Sequence, residues 1–80
     1  SDPFDYVIQV GAYRSNADAD AQKAKLALMG LDAKVSERDQ GGRTVYRVRL
    51  GPYADKAAAE KVRTRLEGSG IENTLVRVQR

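Results

Sequence analysis

The side chains of this sequence best suited to binding chemistry are Gln9, Arg47 and Arg49. Arginine presents a planar fork of donors that fits carboxylates and phosphates, and glutamine offers one acceptor and two donors. Val45 would add an apolar contact beside them. On one shared surface these groups would suit a polar polymer; the alternative is a solvated sheet face whose arginines only raise solubility and discourage edge pairing.

Catalytic groups are scarce in this sequence. It contains no histidine and no cysteine, so it has no imidazole base, no thiolate, no disulfide and none of the usual soft-ligand zinc sites. Its acidic residues are scattered, with no pair placed for acid–base chemistry or calcium binding. We therefore expect a protein that is not an enzyme and has no cofactor and no metal site.

The length and charge fit one small domain. Eighty residues seldom divide into two domains, and we expect a linker or cloning remnant over 1–4 followed by a single domain over 5–80. The formal charge is +3, from fourteen basic and eleven acidic residues that are interspersed, which favours anionic partners only mildly. No apolar run approaches the roughly 20 residues of a membrane span, so we expect a soluble domain. We also expect it to be a monomer.

The sequence repeats itself at an offset of forty positions, which carries Gly11 onto Gly51. The offset also aligns Tyr6 with Tyr46 without a gap. Two copies are too few for a solenoid, which needs about three repeats. The repeat therefore indicates one domain built from two similar halves.

Each half begins with a strand in which apolar and polar residues alternate, the mark of a half-buried strand. Ser15 and Asp55 are suited to cap the helices that follow, and Gly30, Gly68 and Gly70 to close them. The predicted helices are 16–29 and 56–67; the second and fourth strands are 33–37 and 74–78.

The predicted order is βαββαβ, an α+β fold of the ferredoxin-like (RNP-like) type, with a four-stranded antiparallel sheet and two helices on one face. The first and third strands should be central in the sheet. Gln9, Val45, Arg47 and Arg49 would then project from the middle of its uncovered face, while Tyr6 and Tyr46 point inward.

The outer strands are harder to orient. For the fourth strand we predict Val76 and Val78 inward, which sends Leu75 and Arg77 to the uncovered face. The phase of the second strand stays open, although Lys34 or Ser36 could border the same surface. Separately, Tyr13 and Tyr53 are expected to pack beneath the turns that they follow.

The segments YVIQVGAY (6–13) and YRVRLGPY (46–53), each followed by an alanine-containing helix, resemble the two halves of the SPOR family. The resemblance covers about 5–78 and implies the same βαββαβ fold. It also implies a module that binds bacterial peptidoglycan and prefers glycan strands denuded of their stem peptides, as produced at division septa.

The resemblance implies binding residues as well: Gln9, Val45, Arg47 and Leu75. Ala12 stands where some members carry serine, and Val45 where some carry an aromatic ring. Amide cleavage exposes the lactyl carboxylate of muramic acid, which Arg47 could pair with, aided by Arg49 or Arg77. The candidate glycan-binding residues are Gln9, Ala12, Val45, Arg47, Arg49, Leu75 and Arg77.

A periplasmic or cell-envelope location at the septum follows from the resemblance. The expected host is a membrane-anchored cell-division protein of the FtsN type, although lytic enzymes and lipoproteins also carry such modules. One alternative is a protein–protein interaction module of the envelope. RNA-recognition modules share this architecture but stack bases on outward aromatic residues, so we expect no nucleic acid partner.

Overall fold

The computed structural model describes residues 2–80 and confirms the predicted order of elements. These elements are β1 (Phe4–Tyr13), α1 (Asn16–Leu28), β2 (Lys34–Gln40), β3 (Arg43–Tyr53), α2 (Lys56–Gly68) and β4 (Thr74–Gln79). Ser1, within the predicted linker, lies outside the described residues. Strand β1 begins at Phe4.

The four strands form one antiparallel sheet in the order β2-β3-β1-β4. The first and third strands are central, as predicted. Both helices lie on one face of the sheet and contact β1 and β3. No other element of residues 2–80 covers the opposite face, so the sheet is buried on one side only.

The core is assembled from equivalent positions of the two halves. Five pairs related by the forty-residue offset are buried between the sheet and the helices: Ile8 with Val48, Val10 with Leu50, Ala19 with Ala59, Leu26 with Leu66 and Leu31 with Ile71. Alternate residues of β1 and β3 form the sheet side of this core, and residues of the two helices pack against them. The repeat therefore builds each half of the core from the same pattern.

The helix starts are capped as predicted. The Ser15 hydroxyl accepts a hydrogen bond from the Asp18 amide at 3.1 Å, and the Asp55 carboxylate accepts one from the Ala58 amide at 2.7 Å. Each satisfies one of the amides that a helix leaves free at its N-terminus.

The helix ends differ from the prediction at one glycine. Gly30 and Gly70 have positive φ angles after α1 and α2, as predicted. Gly68 does not, because α2 extends through it as its last residue.

Two tyrosine rings pack over the glycines that precede them, but the predicted turns at those glycines are wrong, because β1 and β3 continue through Tyr13 and Tyr53. At Gly11, an added Cβ would lie 2.5–2.7 Å from ring atoms of Tyr13. At Gly51, it would lie 3.1 Å from the Tyr53 ring and 2.8 Å from the Tyr6 carbonyl oxygen. Burial raises the pKa of the Tyr53 hydroxyl. The glycines thus bring each ring close to the strand backbone.

Gly51→Ala and Gly68→Ala should change stability in opposite directions. Gly51 has a φ of +104° and no room for a Cβ, so alanine should cost about 1–3 kcal/mol. Gly68 is helical with nothing within 4 Å of an added Cβ, so alanine should gain about 0.5–1 kcal/mol. Urea unfolding measures the free energy of unfolding of both variants. Changes of the same sign relative to the wild type would contradict the prediction.

The Asp2 carboxylate holds the start of β1. It accepts hydrogen bonds from the Tyr6 hydroxyl and, at 2.9 Å, from the Phe4 amide. The Tyr6 bond first, and the Phe4 bond second, lower the pKa of Asp2. The same bond to Asp2 raises the pKa of Tyr6.

These pKa shifts predict a pH-dependent contribution to stability. Since the folded pKa of Asp2 is lowered, its contribution should be present above the unfolded value of 3.8 and be lost as the pH falls through the folded value. Since the folded pKa of Tyr6 is raised, the contribution of Tyr6 to stability should be present below the unfolded value of 10.0 and be lost as the pH rises through the folded value.

Urea unfolding at several pH values tests this. The stability difference between the wild type and Asp2→Asn should shrink as the solution is acidified. Asp20→Asn, at an exposed position of α1, is the matched control. An Asp2→Asn difference that does not change with acid would contradict the assignment.

Candidate functional site on the open face of the sheet

We define the open face as the sheet surface opposite the helices. The strand register assigns its residues, because directly paired residues of neighbouring strands share a face. Along β2, β3, β1 and β4 in turn, they are Lys34, Ser36, Arg38 and Gln40; Arg43, Val45, Arg47 and Arg49; Asp5, Val7, Gln9 and Ala12; and Thr74, Val76 and Val78.

The structure brings five of the seven predicted binding residues together at the centre of this face. Gln9 pairs directly with Arg49, and Ala12 with Arg47, across the two central strands. Val45 lies two residues from Arg47 along β3. All five therefore fall within a small area of the two middle strands.

Ala12 reaches the open face because β1 is irregular. Simple alternation from the buried Val10 would turn Ala12 toward the helices, but the register shifts between Gln9 and Gly11. The extra residue of this bulge reverses the phase of the strand beyond it. Ala12 consequently lies opposite Arg47, where its small side chain leaves room above the sheet.

Gln9 and Arg49 form a fixed pair. The Nε and Nη2 atoms of Arg49 both donate to the Gln9 Oε1 atom at 3.2 Å. The forty-residue offset relates these two residues, so they meet where the two halves of the domain join. Because the Gln9 oxygen accepts from Arg49, its amide NH₂ group remains available to donate to a ligand.

Arg47 lies in a positively charged environment. Its pKa is lowered, first by burial of the guanidinium and then by the nearby charges of Arg38 and Arg49. We call Arg38, Arg47 and Arg49 the arginine cluster. Within residues 2–80 none of the three forms an ion pair; Asp5, the acid on the open face, is paired with Arg80 at 2.8 Å. The cluster is thus an unneutralised site that attracts anions.

The predicted phase of β4 is wrong. Leu75 pairs with the buried Ile8 and packs against the core, so it faces the helices. Arg77 pairs with the buried Tyr6, and its guanidinium lies 4.6 Å from the centre of the Phe4 ring. Neither predicted binding residue belongs to the open face.

Val76 and Val78, predicted to be inward, take their place on the open face. The alternation could not decide between the two phases because β4 has apolar residues in both of them. The internal repeat could have decided the phase of β4. Leu75 is equivalent to Val35, which is the only apolar residue of β2 and packs against the core, so Leu75 should face the core as well.

Arg38 is a residue of the open face that the sequence reading missed. Gly41 and Gly42 both have positive φ angles and form a two-residue turn that pairs Gln40 with Arg43. A Gly-Gly turn of this length fixes the register of a hairpin, so the signal was present in the sequence. It places Arg38 opposite Val45, on the outward side.

The same register settles the open question about β2. Lys34 lies opposite Arg49 and Ser36 opposite Arg47, so both belong to the open face. Strands β2 and β3 therefore make a cationic half of this face. Val7, Val76 and Val78 make an apolar half on the side of β1 and β4.

A cleft of about 890 Å³ adjoins the open face, and its lining includes Gln9, Ala12 and Thr74 of that face together with Gln22 and Lys25 of α1. Among the described residues, no three acidic side chains cluster closely enough to hold a metal ion. Neither α1 nor α2 is long and apolar enough to span a membrane.

The phase of β4 can be tested by stability. Leu75→Asn should destabilise the domain by about 1–3 kcal/mol, because it places an amide against the core. Val76→Asn, one residue away on the open face, should cost less than about 1 kcal/mol. The measurement is thermal or urea unfolding, and a larger loss for Val76→Asn would restore the phase predicted from the sequence.

The comparisons with known proteins agree with this fold. The family model for the SPOR domain matches residues 2–77. The structure is similar to the crystal structure of the RlpA SPOR domain from Pseudomonas aeruginosa, with a TM-score of 0.81 and 27% identity over 91% of this chain and 99% of that one.

It is also similar in fold to the solution structure of the peptidoglycan binding domain of the B. subtilis cell wall lytic enzyme CwlC. That similarity has a TM-score of 0.79 and 24% identity, over 99% of this chain and 95% of the other. No curated protein matches the chain significantly.

Proposed function

This chain belongs to the SPOR domain family, and from that premise we propose that it is a non-catalytic module that binds peptidoglycan through the open face. The observation that carries the proposal is the arginine cluster, which lies beside Gln9 on the uncovered face of β2 and β3 and has no acidic partner among the described residues. An open sheet surface that carries polar groups suits an extended polymer. The similarity to a domain named for peptidoglycan binding supports the same partner.

We further propose that the domain prefers glycan strands denuded of stem peptides. An amidase hydrolyses the amide that joins the stem peptide to the lactyl group, which leaves a free carboxylate on muramic acid. The Arg47 guanidinium can donate two hydrogen bonds to that carboxylate. A strand that keeps its peptides offers a neutral amide there, and the peptide would occupy the space above Ala12.

The neighbouring residues have complementary roles in this proposal. The free amide NH₂ of Gln9 donates to a sugar hydroxyl or acetamido oxygen, and Arg49 holds Gln9 in place. Val45 and, in the apolar half, Val76 contact the apolar faces of sugar rings. Val76 thereby takes the role that the family resemblance assigned to Leu75.

The location follows from the partner. A module that recognises denuded glycan would direct its host to the periplasmic side of the division septum, where amidases act. The host is proposed to be a membrane-anchored division protein. RNA is disfavoured, because the described tyrosines pack against the core and leave no aromatic ring on the open face for stacking bases.

A pull-down on purified peptidoglycan sacculi, before and after amidase digestion, tests this function. Binding of the wild type should rise with digestion. Gln9→Ala and Arg47→Ala should weaken binding to digested sacculi, the latter by about tenfold or more, because a charged hydrogen bond is lost.

Lys61→Ala is the matched charge control, since Lys61 is exposed on α2 and makes no hydrogen bond or ion pair with described residues. Arg63 is less suitable because it binds Asn73 and Glu60. Equal losses for Arg47→Ala and Lys61→Ala would show that the open face is not the site. Binding that ignores digestion would remove the denuded-glycan preference.

A further inference from the structure

We infer that Arg38, on the edge strand β2, is a second carboxylate-binding residue, so that the open face binds two free carboxylates of one glycan strand at once. The inference rests on the proposed function and adds a requirement to it: adjacent muramic acid units must both be denuded for strong binding.

The register places Arg38 and Arg47 as neighbours. Arg38 lies directly opposite Val45, and Arg47 is two residues further along β3. Such diagonal neighbours on one sheet face are about 7–8 Å apart. Ser36, opposite Arg47, is small. Two separate anions can therefore lie side by side above β2 and β3.

Strand β2 separates its charges by face. Lys34 and Arg38 point to the open face, whereas Glu37 and Asp39, on either side of Arg38 in the sequence, point to the helix side through their pairs Tyr46 and Thr44. An exposed edge strand could have carried an acid beside Arg47 without cost to the core. Instead, like charges are placed together, which is unfavourable unless an anion binds between them.

The repeat shows that this charge is not inherited by both halves. The position equivalent to Arg38 in the second half is Val78, on the apolar side of the open face. Arg47 is likewise equivalent to Val7 of the first half, so the forty-residue repeat does not account for the arginine cluster. Lys34 is a weaker candidate for the second anion, because its ammonium group lies 4.0 Å from the Asp32 carboxylate.

The ligand has matching chemistry. Muramic acid is every second sugar of a glycan strand, so a fully denuded strand carries lactyl carboxylates at a regular spacing. Arg47 and Arg38 can each take one of two successive carboxylates in a bidentate pair. A strand denuded at one position only would satisfy one guanidinium and leave the other unpaired.

Defined oligosaccharides test this inference. One glycan has two muramic acid units with both carboxylates free, and its matched partner has one of the two converted to a neutral methylamide. Isothermal titration calorimetry should show that the wild type binds the first about tenfold more tightly than the second. Arg38→Gln should abolish that difference, Arg38→Lys should retain part of it, and Lys61→Gln should leave it unchanged.

The outcomes separate this inference from the proposed function. One outcome is that the wild type and Arg38→Gln both bind the doubly free glycan and show the same ratio of affinities for the two glycans, whether that ratio is one or about ten. In that case only the second carboxylate site is overturned. If the wild type binds neither glycan, the proposed function falls and the inference falls with it. Circular dichroism of each variant confirms that it is folded.

Discussion

Burial of one side of the two central strands is the constraint on which the rest of the structure depends. Ile8 on β1 and Val48 on β3 are fully enclosed between the sheet and the helix residues Leu26 and Leu66. Because side chains alternate along a strand, burying these positions commits Gln9, Arg47 and Arg49 to the opposite side. The open face is thus a direct consequence of how the core is packed.

The internal repeat explains how that face is built and why its centre is ordered. The equivalent strands β1 and β3 lie next to each other at the centre, the equivalent strands β2 and β4 form the two edges, and both helices cover the sheet from the same side. The register pairs Tyr6 with Tyr53 and Tyr13 with Tyr46, which the forty-residue offset exchanges. Gln9 and Arg49 meet at the junction of the halves, where their hydrogen bonds limit the motion of both side chains before any ligand binds.

The proposed function depends on the departures from that symmetry. The scaffold residues are repeated almost position for position, but the outward residues are not. One half of the open face carries the arginine cluster, and the other carries valines. The two sides of this surface therefore differ chemically, cationic over β2 and β3 and apolar over β1 and β4. A glycan strand, which also has a direction and carries acidic and apolar groups, is a partner that could make use of it.

The sequence alone determined the elements, both helix caps, the core and the central position of Gln9 and Arg47, because alternation with apolar residues in one phase leaves a strand one choice of face. It did not determine the faces of Leu75, Arg77 and Ala12. An edge strand such as β4 holds apolar residues in both phases, and a bulge reverses the phase of β1 without a mark in composition. The cross-strand register decided these positions, and it depends on how whole strands pair in the folded sheet.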